Sequence, residues 1–326
     1  MTHGRAVSLM VLVTLLWSTA GVVSRHLEVA QSFEVTFWRS TFNALALVLA
    51  LSAMRGAALW RSLLSAGWPV WVSGLCWAVM FTAFMLSITL TKVANVLVTM
   101  SLGPLMTALF ARLLLRHRLP LRTWAAIALA GIGIAWMYGH EVQAADARGL
   151  LGMLVALAVP VSAACNFTLM QHVAQGRGSA AIDPDADPGG ETPATPDMLP
   201  AVLVGALLSA TVMLPLAWPL QASAHDIGLL TMLGTVQLAI PCVLAVAVGA
   251  VLKAPEASLL GLLEILFGVA WTWLGSDESP TPAVIGGGSL VLLALAVNEA
   301  LALWGSRDEP VEPAQPGVTP GATIQA

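Results

Sequence analysis

The chain has little charge. Only 10% of its 326 residues are Asp, Glu, Lys or Arg, whereas 58% are hydrophobic and the mean hydropathy is +0.83. Soluble domains carry about a quarter charged residues, so a water-soluble fold could not bury this much apolar surface. The net charge is −4 and no basic run is long enough to favour nucleic acid as a partner. The composition therefore predicts an integral membrane protein.

Motifs for catalysis, cofactors and metals are also missing. The three cysteines stand alone in apolar runs, which excludes a CxxC site and a disulfide framework. The chain has no P-loop for ATP and no HExxH zinc motif. Its six histidines fall in tails, loops or helix ends, so the sequence offers no Ser–His pair within the membrane. We therefore expect no enzyme activity, no catalytic residue, no cofactor and no metal, with a weakly patterned transferase as the alternative.

Lysine is nearly absent, and the two lysines mark a possible repeat. Lys92 and Lys253 each precede a long apolar run, in TKVANVLVTMSLGPLMTALFARLLL and LKAPEASLLGLLEILFGVAWTWLG. Pro120 and Pro280 then lead into a further apolar run at nearly the same offset. Residue identity between the copies is low, so the repeat is a hypothesis from spacing. Duplicated halves are a common basis for alternating access in transporters.

Apolar runs of about 20 residues predict ten transmembrane helices. Their ranges are 6–24, 33–53, 66–90, 93–114, 122–139, 149–174, 199–222, 226–250, 255–275 and 281–304. The first run resembles a signal peptide but extends to about Ser24, so we expect an uncleaved helix. Five helices in each half is an odd number, so the second half enters from the opposite side. The predicted fold is an all-α integral membrane protein with ten transmembrane helices in two inverted five-helix repeats.

The positive charges predict the orientation. With the N-terminus inside, the outer side receives only Arg25, Lys92 and Arg148, whereas nine other Arg and Lys residues flank the cytoplasmic side. Both termini are therefore expected in the cytoplasm. Residues 175–198 are rich in Pro, Gly and Asp and predict a flexible cytoplasmic loop, and residues 305–326 predict a disordered cytoplasmic tail.

Four stretches carry a resemblance to a known family: LLWSTAGVVSRHL, FEVTFWRS, ANVLVTMSLGPLMTALFARLLLRHRL and APEASLLGLLEILFGVAWTWLGSDESPTPAVIGGGSLVLLALAV. With the ten-helix layout, they resemble the drug/metabolite transporter superfamily, in its EamA-type branch. The resemblance implies EamA-like five-helix repeats at residues 1–140 and 149–304, a location in the bacterial inner membrane, and efflux. The family's ninth helix often has proline after its glutamate. Here Ile265 follows Glu264, which favours a straighter helix.

Charged side chains within the predicted helices are the first candidates for a site, because each costs roughly 2.5–3.5 kcal/mol on insertion. Glu264 lies near the middle of its helix and could bind a substrate amine or carry a proton, or it could be a structural carboxylate. Arg39 lies roughly 10 Å below the outer surface. It could bind a substrate carboxylate, pair with Glu264 or Glu34, or extend outward to water. Glu34 is expected to be solvated at the outer boundary.

Uncharged candidates complete the predicted site. Asn95 and Thr99 are one turn apart on the fourth helix and could line the cavity or hold helices together. Trp17 and Trp271 lie deep enough to stack on a substrate, and packing or lipid contact is the alternative for each.

These features predict a secondary transporter of a small organic metabolite. Amino acids or related compounds are the expected substrates, because Arg39 and Glu264 could meet the two ends of a zwitterion. Efflux and proton coupling are further hypotheses. The alternatives are import, or a non-transport role as a transferase, receptor or assembly protein. The expected partners are the substrate and the lipid bilayer, and the oligomeric state is unknown.

Overall fold

The computed structural model describes residues 1–24, 26–30, 32–91, 96, 99–114, 120–142, 147–180, 197–275 and 282–305. These residues form helices joined by short connections, with no strand among them, which confirms the all-α prediction for this part of the chain. In chain order the helices are α1 (His3–Ser18), α2 (Ala20–Ser24), α3 (Ser32–Arg55), α4 (Ala57–Leu64), α5 (Trp68–Leu90), α6 (Gly103–Leu114), α7 (Leu121–Val142), α8 (Ala147–Ala180), α9 (Leu199–Ala217), α10 (Ala224–Met232), the π-helical segment Leu233–Ala239, α11 (Ile240–Gly249), α12 (Ala254–Gly261), α13 (Leu263–Gly275) and α14 (Pro282–Gly305).

Within the described residues, six helical stretches are long and apolar enough to cross a membrane. They are His3–Ser24, Phe33–Met54, Trp68–Ile88, Ala147–Ala174, Leu199–Ala217 and Ala224–Gly249. Shorter apolar helices occupy Gly103–Leu114, Leu121–Trp136 and Ile285–Asn298. The helices fit a multi-pass membrane protein, while the count of ten spans and the inverted repeat stay predictions.

Two predicted features differ from the structure. Helix α8 continues to Ala180, which is six residues into the loop predicted for 175–198. The rest of that loop, 181–196, and the tail from 306 onward lie outside the described residues. The expectation of a straighter ninth helix is wrong, because the helix is interrupted at Leu262, between α12 and α13. The backbone amide of Leu262 donates to the carbonyl of Leu259, three residues earlier. The carbonyl of Leu262 accepts from the amide of Ile265, three residues later. This 3₁₀-type tightening needs no proline.

Small residues bring the helices close together. A Cβ atom on Gly205 of α9 would lie 2.4 Å from the Cβ of Trp77 on α5, and one on Gly74 would lie 2.6 Å from Val204. In lipid, helices associate through such close contacts, since apolar side chains gain little by leaving the bilayer. Helix α9 therefore packs tightly on α5, and α5 packs in turn on α8.

Two buried carboxylates join the loops at one end of the bundle, and together we call them the loop latch. Asp226 is fully buried and accepts hydrogen bonds from the backbone amides of residues 28, 29 and 30, at 2.8, 3.0 and 2.9 Å. Glu34 is 2% exposed, and its Oε1 accepts from the amides of residues 221 and 222, both at 2.8 Å. The expectation that Glu34 is solvated is therefore wrong, because backbone amides replace water around its carboxylate.

Candidate substrate cavity

A cavity of about 150 Å³ lies among helices from both halves of the chain. Its wall is largely aromatic and sulfur-containing, with the side chains of Trp17, Trp77, Phe81, Phe84, Phe167 and Met80. A space of this size accommodates a benzene-sized group. Arg39 and Glu264 are the charged side chains among the described lining residues. The arrangement is typical of a small-molecule site, with an apolar surface for affinity and a few polar groups for orientation.

Two interrupted helices form one side of this cavity. Ser101 and Leu102 form a turn ahead of α6, and Leu262 interrupts the helix between α12 and α13. The interruptions are equivalent in sequence, since Ser101 is nine residues after Lys92 and Leu262 is nine residues after Lys253. Residues on both sides of each interruption line the cavity. Discontinuous helices with this placement form the substrate sites of many secondary transporters.

Arg39 enters the cavity from α3 and is held by a neutral side chain. Its Nε and Nη2 both donate to the Oε1 of Gln237, at 3.2 and 2.9 Å. Both side chains are buried, with 6% of Arg39 and 2% of Gln237 exposed. In the described part of the chain, no carboxylate oxygen lies within 4.0 Å of the guanidinium. The predicted pairing of Arg39 with Glu34 is therefore absent, because Glu34 bonds the 221–222 amides.

A π-helical segment places Gln237 opposite Arg39. The ring of a helical proline conflicts with the carbonyl four residues earlier, and Pro241 stands four residues after Gln237. A widened π turn accommodates that conflict, and the amide of Ile240 bonds to the carbonyl of Thr235, five residues back. Sequence reasoning missed Gln237, although a lone glutamine in the apolar run LGTVQLAI was an available signal.

Glycine lets the π segment lie directly against α3. A Cβ on Gly234 would lie 2.5 Å from the Cβ of Phe42 and 2.8 Å from the carbonyl oxygen of Arg39. The side-chain Nε2 of Gln237 also donates to the backbone carbonyl of Trp17 at the end of α1, at 3.0 Å. One side chain thus joins α1, α3 and the π segment at the cavity wall.

Glu264 lies at the start of α13 and is half-buried where it lines the cavity. Among the described residues, no hydrogen bond or ion pair reaches its carboxylate, although Glu264 and Arg39 interact electrostatically across the cavity. The structure therefore brings the two predicted charges to one cavity without pairing them directly. This leaves both groups accessible to a ligand between them.

The remaining candidates are placed differently. Trp17 lines the cavity, whereas Trp271 does not and donates its Nε1 hydrogen to the Oγ of Ser18 at 2.9 Å. Thr99 is buried outside the cavity lining, and Asn95 lies outside the described residues. The cavity instead contains Asn166, which accepts from Ser73 at 2.6 Å.

Comparison with known proteins agrees with this architecture. The model of the EamA-like transporter family matches residues 4–139. The matched region is less than half of the chain, and it is similar to proteins of the drug/metabolite transporter superfamily. EamA-like proteins are membrane transporters of small molecules rather than enzymes, and the long apolar helices of this chain fit an integral multi-pass membrane protein. The matched region supplies Trp17 and Arg39 to the cavity, whereas Gln237 and Glu264 lie beyond it.

A solved crystal structure shares the fold. It is similar to this chain with a TM-score of 0.71 at 20% sequence identity, covering 92% of this chain and 99% of that one. At this identity the likeness establishes the fold alone. Among curated protein sequences, none is significantly similar to this chain.

Proposed function

We propose that the chain is a secondary transporter that exports a small organic metabolite through the cavity between its two halves. The observation that carries this proposal is the shared cavity, in which Arg39 from the first half faces Glu264 from the second within an aromatic wall. A charged group within a membrane protein is costly and is a functional candidate by default. Two opposite charges that remain unpaired can each bind a substrate group of opposite sign.

The proposed architecture is ten transmembrane helices in two inverted repeats, at residues 1–140 and 149–304. It is supported by the contacts between helices, which keep the same pattern when the halves are exchanged. Helix α5 packs on α8, and its counterpart, α10 to α11, packs on α1. The second helices of the two halves, α3 and α9, pack together, as do the fifth, α7 and α14. A pseudo-twofold axis would produce this pattern.

The proposed orientation in the membrane is supported by contacts at the two ends of the bundle. Residues predicted to be cytoplasmic meet each other, since His3 lies 2.5 Å from Glu256 and the amide of Ala254 donates to Gln171. Residues predicted to be outside meet in the loop latch. We therefore propose that both termini face the cytoplasm of a bacterial cell, with the protein in the inner membrane.

The proposed substrates are amino acids or related compounds. Arg39 would bind the carboxylate, Glu264 would bind the amine or carry a coupling proton, and Trp17 would stack on the side chain. Trp271 would support the site through Ser18, which neighbours Trp17. Asn95 and Thr99 would contribute from the predicted fourth helix.

Comparison of the culture medium tests the proposal. Cells expressing the protein, its Glu264→Gln variant, a matched Glu28→Gln variant or neither would be compared for small molecules in the medium. Glu28 is exposed on a loop away from the cavity, so its substitution should leave transport unchanged. We expect one or more amino-acid-like compounds to accumulate with the intact protein and the Glu28 variant only. Accumulation with Glu264→Gln would assign Glu264 a structural role, and no accumulation with any form would contradict export.

Proton coupling needs a separate measurement. Purified protein in liposomes would be supplied with an identified substrate under an imposed pH gradient. If Glu264 carries the proton, uptake by the intact protein follows the gradient, whereas uptake by Glu264→Gln is insensitive to it. Equal pH dependence of both forms would contradict the coupling role. Reversing the substrate gradient in the same vesicles distinguishes export from import.

A further inference from the structure

The Arg39 guanidinium is oriented by a group that does not neutralise it. The Gln237 carbonyl accepts two of its N–H groups, and no hydrogen bond from Nη1 occurs among the described residues. A glutamate in this position would accept the same two hydrogen bonds and would also supply a negative charge. The amide of Gln237 therefore orients the guanidinium without neutralising its charge.

Gln237 itself is fixed on both sides. Its carbonyl oxygen accepts from Arg39, and its amide nitrogen donates to the carbonyl of Trp17. Because Arg39 can only donate and the Trp17 carbonyl can only accept, the side-chain amide of Gln237 has one favourable orientation. The π turn and the close approach at Gly234 hold the backbone of Gln237 against α3. The guanidinium is thereby held at the cavity wall.

The charge of Arg39 is balanced only at a distance. Glu264 interacts with it across the cavity but lies beyond ion-pair distance, and a buried cation without a directly bound counter-ion is unfavourable. A ligand with an acidic group could supply the missing charge and accept from the Nη1 edge. Its apolar part would then lie against Trp17, Trp77 and Phe81.

We infer that Gln237 is a specificity-determining residue, which positions Arg39 and preserves its positive charge so that the cavity selects ligands with an acidic group on an aromatic or apolar body. This inference rests on the proposed function, because it assigns charge selectivity to the same transport site. It differs from the proposal of a zwitterionic substrate, since it concerns the acidic end alone and assigns that selectivity to a residue outside the charged pair.

Binding to the purified full-length protein tests this inference without any transport assay. The probes are phenylacetate and phenylacetamide, which have nearly the same shape and differ in charge. Affinity for each would be measured by titration calorimetry with intact protein, Gln237→Glu, and a matched Gln171→Glu variant. Gln171 is a buried glutamine outside the cavity, and its Oε1 accepts from the Ala254 amide, which a glutamate can also do.

The intact protein should bind phenylacetate about tenfold more tightly than phenylacetamide, a difference of about 1.4 kcal/mol. Gln237→Glu should bring that ratio to about one, because the new carboxylate neutralises Arg39, whereas Gln171→Glu should keep the ratio of the intact protein. If Gln237→Glu does not fold, Gln237→Met tests positioning alone. It keeps the volume and the arginine charge but frees the guanidinium, so the ratio should fall to about threefold.

Several results would overturn the inference: equal binding of both probes by the intact protein, binding of neither probe, or an unchanged ratio in the Gln237 variant that folds. Failure of the proposed function has a different signature. Export would then be absent while the preference for phenylacetate and its loss in the Gln237 variants remain. Export with an unchanged ratio would overturn the inference and leave the proposed function standing.

Discussion

Replacing Asp226 with asparagine tests the loop latch most directly. The aspartate accepts one hydrogen bond at Oδ1 and two at Oδ2, all from backbone amides of residues 28–30. Asparagine can keep the two bonds at the Oδ2 position through its carbonyl oxygen, but without their charge assistance. Its NH₂ group would then face the amide of residue 28, so that a donor opposes a donor. The variant therefore loses one charge-assisted hydrogen bond, weakens two others and nearly preserves the side-chain volume.

The expected cost follows from these three bonds. A hydrogen bond to a charged group contributes about 1.5–3 kcal/mol and a neutral one about 0.5–1.5 kcal/mol, so one lost bond and two weakened bonds together cost roughly 3–6 kcal/mol. The 26–30 loop is partly in contact with solvent, since Val29 is 47% exposed, and water can replace some of the lost bonds. We therefore expect about 3 kcal/mol, at the lower end of the range. Since 1.4 kcal/mol is a factor of ten, the local opening of this loop should become roughly 100-fold more frequent.

Hydrogen exchange measured by mass spectrometry on the purified protein reports this opening. In Asp226→Asn, the amides of residues 28–30 should exchange roughly 100-fold faster than in the intact protein. The Glu34→Gln variant is the matched control, because it should accelerate exchange at residues 221 and 222 instead. If exchange at residues 28–30 changes less than about threefold, the carboxylate does not stabilise the loop and the reasoning fails.

Three further predictions concern packing and the site. Gly205→Ala should destabilise the protein by about 1–3 kcal/mol through overpacking, whereas Gly131→Ala, which meets no atom within 4 Å, should be neutral or slightly stabilising in thermal unfolding. Equal melting temperatures for the two variants would contradict the close packing of α9 on α5. Trp271→Phe should lower the unfolding free energy by about 0.5–1.5 kcal/mol, since it loses one neutral hydrogen bond; an unchanged value would show that this bond contributes nothing. Arg39→Lys should reduce transport by at least about tenfold, because a lysine cannot reproduce the two-pronged contact with Gln237, and full activity would mean that charge alone suffices.

The position of the charged site was only partly predictable from sequence. The cost of burying charge singled out Arg39 and Glu264, and the structure places both at one cavity. The same rule did not indicate which group would hold Arg39, because an uncharged Gln237 carries no comparable penalty. The π turn that brings Gln237 into reach depends on how Pro241 and Gly234 pack against α3. Such packing has no periodic signature in the sequence.

The loop latch shows the same limit at the membrane boundary. Glu34 stands at the start of α3, where a carboxylate is usually solvated. The structure buries it because a loop 187 residues later in the chain presents two backbone amides to it. No local pattern could reveal that contact, and the interruption at Leu262 without a following proline is a similar case.

The sequence by itself determined that this protein is a helical membrane protein. Scarce charge and long apolar runs permit few other structures in lipid, since every backbone polar group must be satisfied within the chain. Only the tertiary structure decided which side chains meet in the cavity, which neutral amide orients the arginine, and which carboxylates close the loops. Those outcomes depend on contacts between residues as far as 220 positions apart or more, such as Gln237 with Trp17, and these contacts are set by helix packing at small residues.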